Sequence, residues 1–129
     1  MSIPEAKAQV LLRLKERNRV QSLFRSKPIS RSGLLLFCDQ RPTFHCAVSV
    51  GVPKRWFRKA VDRNRIKRMM REALREIHLK RGVFPFSSAM ILYSSSNHPL
   101  MTDLTLGIDR LIALAEEAAE RKDRKKDIE

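Results

Sequence analysis

Between residues 44 and 52 the chain alternates. Phe44, Cys46, Val48, Val50 and Val52 point one way, and His45, Ala47, Ser49 and Gly51 point the other. A period of two predicts a strand, and the small side chains of the second set leave room for a helix or a ligand to approach that face. Upstream, Gly33-Leu34-Leu35-Leu36-Phe37-Cys38 is a short apolar run that reads as another strand, with a turn over 39–43 between the two.

The period changes after Pro53 and the basic connector 54–59. Ile66, Met69, Met70, Ala73 and Ile77 fall on one stripe and predict a core-facing helix over 60–79, with Gly82 as its C-cap. Ser88-Ala89-Met90-Ile91-Leu92-Tyr93 returns to a strand, 94–99 is a polar loop, and Leu104, Ile108, Leu111, Ile112 and Ala115 mark a last amphipathic helix. At the other end, Val10, Leu11 and Leu14 stand at helical spacing. Val20, Leu23 and Phe24 resume or continue that helix to about residue 25, where Lys27-Pro28 stops it. Ser2 with Glu5 has the form of a capping box, with Pro4 in the first turn.

The order α-β-β-(β)-α-β-α predicts an α+β protein: an α/β sandwich with one small sheet and helices packed mainly on one side. A single domain is expected over 1–118, followed by a basic, frayed tail over 119–129. There is no internal repeat, and with four glycines there is no phosphate-cradling loop.

Charge gives this fold a partner. The 129 residues carry a formal net charge of +13. Residues 53–81 hold 12 basic against 3 acidic side chains, and residues 13–31 hold 7 against 1, whereas the chain from Gly82 onward is slightly acidic. Concentration of cations in two segments marks a nucleic-acid or anionic-surface binder. No apolar run approaches the length that spans a bilayer, and residues 1–12 lack the features of a signal peptide. Two cysteines, Cys38 and Cys46, make a poor disulfide framework; they read as buried thiols on consecutive strands in a reducing, cytoplasmic protein.

On the 60–79 helix, Asn64, Lys67, Arg68, Arg71 and Arg75 occupy i, i+3, i+4, i+7 and i+11, opposite the apolar stripe. Arg65 borders them, and Arg63 sits near the helix start, where it can project beyond the core. Cations so spaced repel one another unless a polyanion lies against them, and the planar guanidinium fork suits phosphate. A DNA-reading helix-turn-helix would need a partner helix directly before this one, and strands stand there instead. RNA is the better-supported ligand.

The string Ala60-Val61-Asp62-Arg63-Asn64-Arg65-Ile66-Lys67-Arg68-Met69-Met70-Arg71-Glu72 resembles the protein component of bacterial ribonuclease P. That family carries an Arg-Asn-Arg run opening a helix, continued by Ile-Lys-Arg and Arg-Glu, behind a basic pair that here reads Lys54-Arg55. The stretch from Arg13 to Phe24 is similar to the family's first helix, and the likeness extends over about 13–115. Three positions depart from the pattern: Val20 stands where many members have a phenylalanine, Pro53 replaces a common serine, and Trp56-Phe57 adds aromatic bulk to the connector.

The resemblance implies a cofactor of a catalytic RNA, which with Mg2+ removes the 5′ leader from precursor tRNA. The Arg-Asn-Arg helix would face the ribonuclease P RNA subunit, through Arg63, Asn64, Arg65, Lys67, Arg68, Arg71 and Arg75. A cleft between the first helix and the sheet would take the single-stranded leader, through Phe24, Phe37, Lys54 and Arg55. A left-handed βαβ crossover is implied as well, against the usual rule. The alternative is a non-catalytic RNA-binding protein of the ribosome-associated type.

The residues themselves point away from protein-borne catalysis. Glu5, Glu16, Asp39, Asp62, Glu72 and Glu76 are scattered, and His45, His78 and His98 lack ligand spacing. A zinc site of His45, Cys46 and Cys38 wants a fourth ligand. No catalytic residue is assigned, and Mg2+ is expected to be held mainly by the RNA subunit. Neither a membrane nor DNA is expected as a partner. Phe44 reads as core, while Phe24 and Phe37 stand evenly between core packing and base stacking.

Overall fold

The chain runs β1 (Val10–Arg13), α1 (Arg17–Leu23), β2 (Ile29–Arg31), β3 (Leu34–Cys38), β4 (His45–Gly51), α2 (Ala60–Arg81), β5 (Ser88–Tyr93) and α3 (Met101–Ile128) in the computed structural model. The structure describes residues 9–14, 17–39 and 45–128. One five-stranded sheet has the order β1-β4-β5-β3-β2. Strands β4 and β5 are parallel neighbours joined through α2, β3 runs antiparallel to β5, and β2 forms a hairpin with β3.

Alternation along the strands sorts side chains between the two faces. Leu34, Leu36, Cys46, Val48, Val50, Ala89, Ile91 and Tyr93 belong to the main core. Helix α2 covers them with Ile66, Met70, Ala73, Leu74 and Ile77, and α3 with Leu104, Ile108, Leu111, Ile112 and Ala115. Phe84 and Phe86, from the α2–β5 connection, are fully buried in the same core. A second, smaller core of Leu14, Leu23 and Phe37 lies under α1, flanked by Val20, Leu35, Ala47, Met90 and Leu92. Two helices on one face and a short one on the other match the predicted sandwich.

Helix α2 starts without a side-chain cap at Lys59, but Asp62 in its first turn and His78, Lys80 and Arg81 in its last suit the helix dipole. It ends at Gly82, whose N–H donates to the His78 carbonyl at 2.8 Å and whose φ of 80° turns the chain out of the helix.

Residues 10–13 depart from the sequence reading. They form a strand, not the start of a helix, because they lie parallel along the open edge of β4, with Val10 opposite His45 and Arg13 opposite Val48. Strand β2 supplies the third strand before α2, so the predicted order holds with β1 added in front. Strand β5 lies between β3 and β4, so Cys38 and Cys46 are not on adjacent strands. They form no disulfide, and burial, with Asp39 and Cys38 adding to it, pushes the Cys46 thiol up to about 12. Helix α3 continues through Ile128, past the boundary expected at 118. The capping box at Ser2 and Glu5, Phe44, and most of the turn at 39–43 lie outside the described residues.

Gln9 anchors β1. It is 3% exposed, its Oε1 accepts from the Phe84 N–H at 2.6 Å, and its Nε2 donates to the Phe84 carbonyl at 3.2 Å. His78 Nε2 lies 3.2 Å from the same Oε1 and so acts as donor there. Gln9→Ala should cost about 2–4 kcal/mol by urea denaturation, since it strands both backbone groups of Phe84. An unchanged urea midpoint would show the clamp to be idle. His78 adds a pH dependence, because burial holds its imidazole below the ordinary value of 6.5. The unfolded chain then takes up the proton first, so stability is full above about pH 6.5 and falls as pH drops through the folded value. The urea midpoint should fall between pH 7.5 and 5.5, and the fall should shrink in His78→Gln.

Candidate nucleic-acid interface

The outer face of α2 needs only the helix to assemble it. Asn64, Arg65, Arg68 and Arg75 are exposed, and Lys67 and Arg71 are half-buried on the same side. Among the described residues, no carboxylate lies within 4 Å of any of these cations. The ion pairs seen instead join Lys80 to Glu76, at 4.0 Å, and Arg81 to Asp109 and Glu116, at 2.8 and 2.7 Å. The contrast is informative. Where α2 meets α3, an arginine has two acidic partners; along the outer face, the arginines have none among the described residues.

Arg63 stands apart from that face. Its Nη1 donates to the carbonyls of Phe57 and Arg58 at 2.9 and 2.7 Å, which fixes the connector between β4 and α2. The connector turns at Pro53, whose carbonyl accepts from Trp56 N–H at 3.2 Å. Lys54 and Arg55 are both exposed there. The Arg55 guanidinium carbon sits 5.1 Å from the centroid of the Trp56 ring, close enough for a cation–π contact. Phe57 is buried, and Trp56 packs partly against the main core. The extra aromatic bulk of this connector therefore serves to seat it.

On the opposite face of the sheet, Phe24 is 45% exposed and Phe37 is 9% exposed. Their ring centroids are 5.0 Å apart at 67°, an edge-on arrangement. Phe37 pairs with Met90, which pairs with Ser49; in the next row Leu35 pairs with Leu92 and Leu92 with Gly51. Gly51 has a specific use here. A Cβ at that position would stand 2.8 Å from Leu92 Cδ2 and 2.9 Å from Met90 Cε, so its absence lets both side chains lie over β4. The result is an apolar floor beside α1, with the Phe24 ring open to solvent at one side. Lys54 and Arg55 come after the end of β4, a strand that lies two spacings, about 10 Å, from β3. Val20 packs against the small core.

The sequence reading missed Arg13. Strand β1 places it beside Arg71, where desolvation and the Arg13 charge both push the Arg71 guanidinium pKa down. Among the described residues, no three His, Cys, Asp or Glu side chains are grouped so as to hold a metal ion. No helix among them is long and apolar enough to cross a membrane.

A family model described as Ribonuclease P matches residues 9–108. The fold is similar to that of the RNase P protein of Staphylococcus aureus, with a TM-score of 0.61 and 13% identity over 80% of this chain and 94% of that one. A mutant of the S. aureus protein, described as defective in mRNA degradation activity, gives a TM-score of 0.61 and 14% identity over 81% of this chain and 87% of that one. A search of curated protein sequences found no match.

Proposed function

The chain belongs to the family of bacterial ribonuclease P protein components, and we propose that its α2 face seats the RNA subunit while the floor beside α1 takes the 5′ leader of precursor tRNA. Its function is that of the protein subunit of an endoribonuclease complex acting in tRNA processing, and its partner is RNA. The alternative of a ribosome-associated RNA-binding protein is not favoured by the family match.

The observation that carries the proposal is the row Arg65, Lys67, Arg68, Arg71 and Arg75, which has no acidic partner among the described residues. A helix that meets described acids at Arg81 yet keeps this row clear of them is matched to an external polyanion. Asn64, in the same row, is placed to hydrogen-bond to the RNA without adding charge. Arg63 serves the interface at one remove, by holding the connector that carries Lys54 and Arg55. Phe24 offers an open ring for stacking a leader base, and Phe37 braces it edge-on.

Catalysis falls to the RNA subunit in this reading. Phosphodiester hydrolysis by a protein site calls for converging carboxylates or histidines around metal, and the acids and histidines among the described residues are not grouped for that task. Mg2+ would be held mainly by the RNA, where it supplies the charge stabilisation of the cleavage step. The protein's share is to bind and orient.

Reconstitution tests the whole reading. A bacterial ribonuclease P RNA, precursor tRNA and this protein, combined at low Mg2+, should release the 5′ leader, whereas RNA or protein alone should not. Leader release by the protein alone, with an inactive RNA as control, would place the chemistry in the protein. Failure to stimulate any bacterial ribonuclease P RNA would overturn the assignment of its partner.

A further inference from the structure

The α2 face does not stop at the helix. Between β1 and α2 lies a groove of about 290 Å³, floored by Leu11, Val48 and Leu74 and rimmed by Arg13, Arg71 and Arg75. Arg13 reaches this groove through the β1–β4 pairing, in which it stands opposite Val48. Leu11, two residues earlier, falls on the same face of the strand. The position is fixed from behind, because Gln9 ties the start of β1 to both backbone groups of Phe84.

Three guanidiniums around one apolar floor is a costly arrangement for an isolated protein. Among the described residues, no carboxylate lies within 4 Å of any of the three. Arg71 is partly desolvated and feels the Arg13 charge, so the two disfavour each other in the free chain. An anion between them would relieve that repulsion and accept hydrogen bonds from planar forks. The apolar floor is unsuited to a bare inorganic ion but suits the sugar or base attached to a phosphodiester.

We propose that the β1–α2 groove is a nucleotide subsite of the RNA interface, with Arg13 and Arg71 clamping one backbone phosphate, Arg75 at its edge, and the sugar or base against Leu11, Val48 and Leu74. The occupant is a strand of the RNA partner. This rests on the reading that the α2 face binds RNA, and extends it to a strand that the helix stripe alone does not include. Through β1, the subsite also gives the N-terminal segment a direct part in RNA binding.

Titration of a bacterial ribonuclease P RNA with the full chain, over a range of monovalent salt, tests this with Arg13→Ala, Arg13→Glu and Arg68→Ala. Arg13→Ala should weaken binding several-fold and flatten the log K against log salt slope by less than the ~0.7–0.9 of one phosphate contact, because Arg71 still holds the shared phosphate. Its melting temperature should hold or rise, since a repulsion with Arg71 is removed. Arg13→Glu should lose more than Arg13→Ala, because a carboxylate there pairs with Arg71 and withdraws it from phosphate. Combining Arg13→Ala with Arg71→Ala should cost less than the two separate losses together, while combining it with Arg65→Ala should be additive.

Normal affinity and slope in both Arg13 variants, with a loss in Arg68→Ala, would overturn the subsite while leaving the helix face intact. Normal binding in all three variants would overturn the helix reading itself. A fall in melting temperature matched by equal losses in Arg13→Ala and Arg13→Glu would make Arg13 a structural residue and equally overturn the subsite.

Discussion

Raising monovalent salt from about 50 to 200 mM should weaken the complex with a bacterial ribonuclease P RNA by roughly two hundredfold. The figure follows from five cations without acidic partners among the described residues: Arg65, Lys67, Arg68, Arg71 and Arg75. Each neutralised phosphate contributes a slope of about −0.7 to −0.9 in log affinity against log salt, so five contacts give roughly −4. Arg68→Ala should flatten that slope by about 0.7–0.9 and weaken unrelated RNAs almost equally. Asn64→Ala should lower affinity with the slope unchanged, because Asn64 is neutral. Arg63→Ala should behave as neither. With its bonds to Phe57 and Arg58 lost, it should loosen the connector and lower the melting temperature before it alters the salt response. A wild-type affinity that changes less than tenfold over the same range would contradict phosphate contact by this face.

These three behaviours also show where sequence reasoning reaches and where it stops. The row on α2 was legible because it depends on one thing, a helix over residues 60–79. The apolar stripe that predicts the helix also fixes which side the cations occupy. Strand β4 was legible for the same reason: nine alternating residues over 44–52, between turn signals, admit one reading. Local pattern could not decide residues 10–13. A run of Val, Leu, Leu, Arg and Leu satisfies both periods, and the choice is made by an open strand edge more than 30 positions away, together with the clamp between Gln9 and Phe84. Once that strand was read as helix, Arg13 had no definite place, and its meeting with Arg71 was hidden.

The misplaced residues share a cause. Arg63 lies on the correct helix, but its partners are carbonyls of the connector, whose path is set by the seating of Trp56 and Phe57. Cys38 and Cys46 stand on strands consecutive in sequence, yet β5 enters between them because the chain crosses through α2 before completing the sheet. In one case the missing information was the path of a connector and in the other which strand lies beside which, and composition and spacing carry little of either. The two halves of the proposed interface differ accordingly. The helix face was readable from spacing alone, and the leader floor became visible only once Phe37, Met90, Leu92 and Gly51 were brought into register.

That floor gives the second large effect, because it assigns different work to two phenylalanines that sequence left equivalent. Phe37 is nearly buried in the small core with Leu14 and Leu23, so Phe37→Ala should destabilise the protein by about 3 kcal/mol and impair all RNA binding through loss of fold. Phe24 is 45% exposed and loses little by truncation beyond its edge-on contact with Phe37, worth about 1 kcal/mol. Its functional loss should be the larger one. Stacking of a base on an aromatic ring contributes about 1–3 kcal/mol, so Phe24→Ala should weaken precursor tRNA binding by the holoenzyme roughly fivefold to 150-fold. Mature tRNA, which has no leader, should bind as before. Phe24→Tyr should retain most of the affinity, since it keeps the ring. The decisive measurement is the ratio of precursor to mature tRNA affinity in reconstituted holoenzyme, beside a denaturation curve for each variant. Equal losses for both tRNAs would make Phe24 a general structural support, and no loss for precursor tRNA would move the leader away from α1. A collapse of the ratio in Phe24→Ala, with the fold retained, would place a leader base on the open side of that ring, with Phe37 as the brace that keeps it upright.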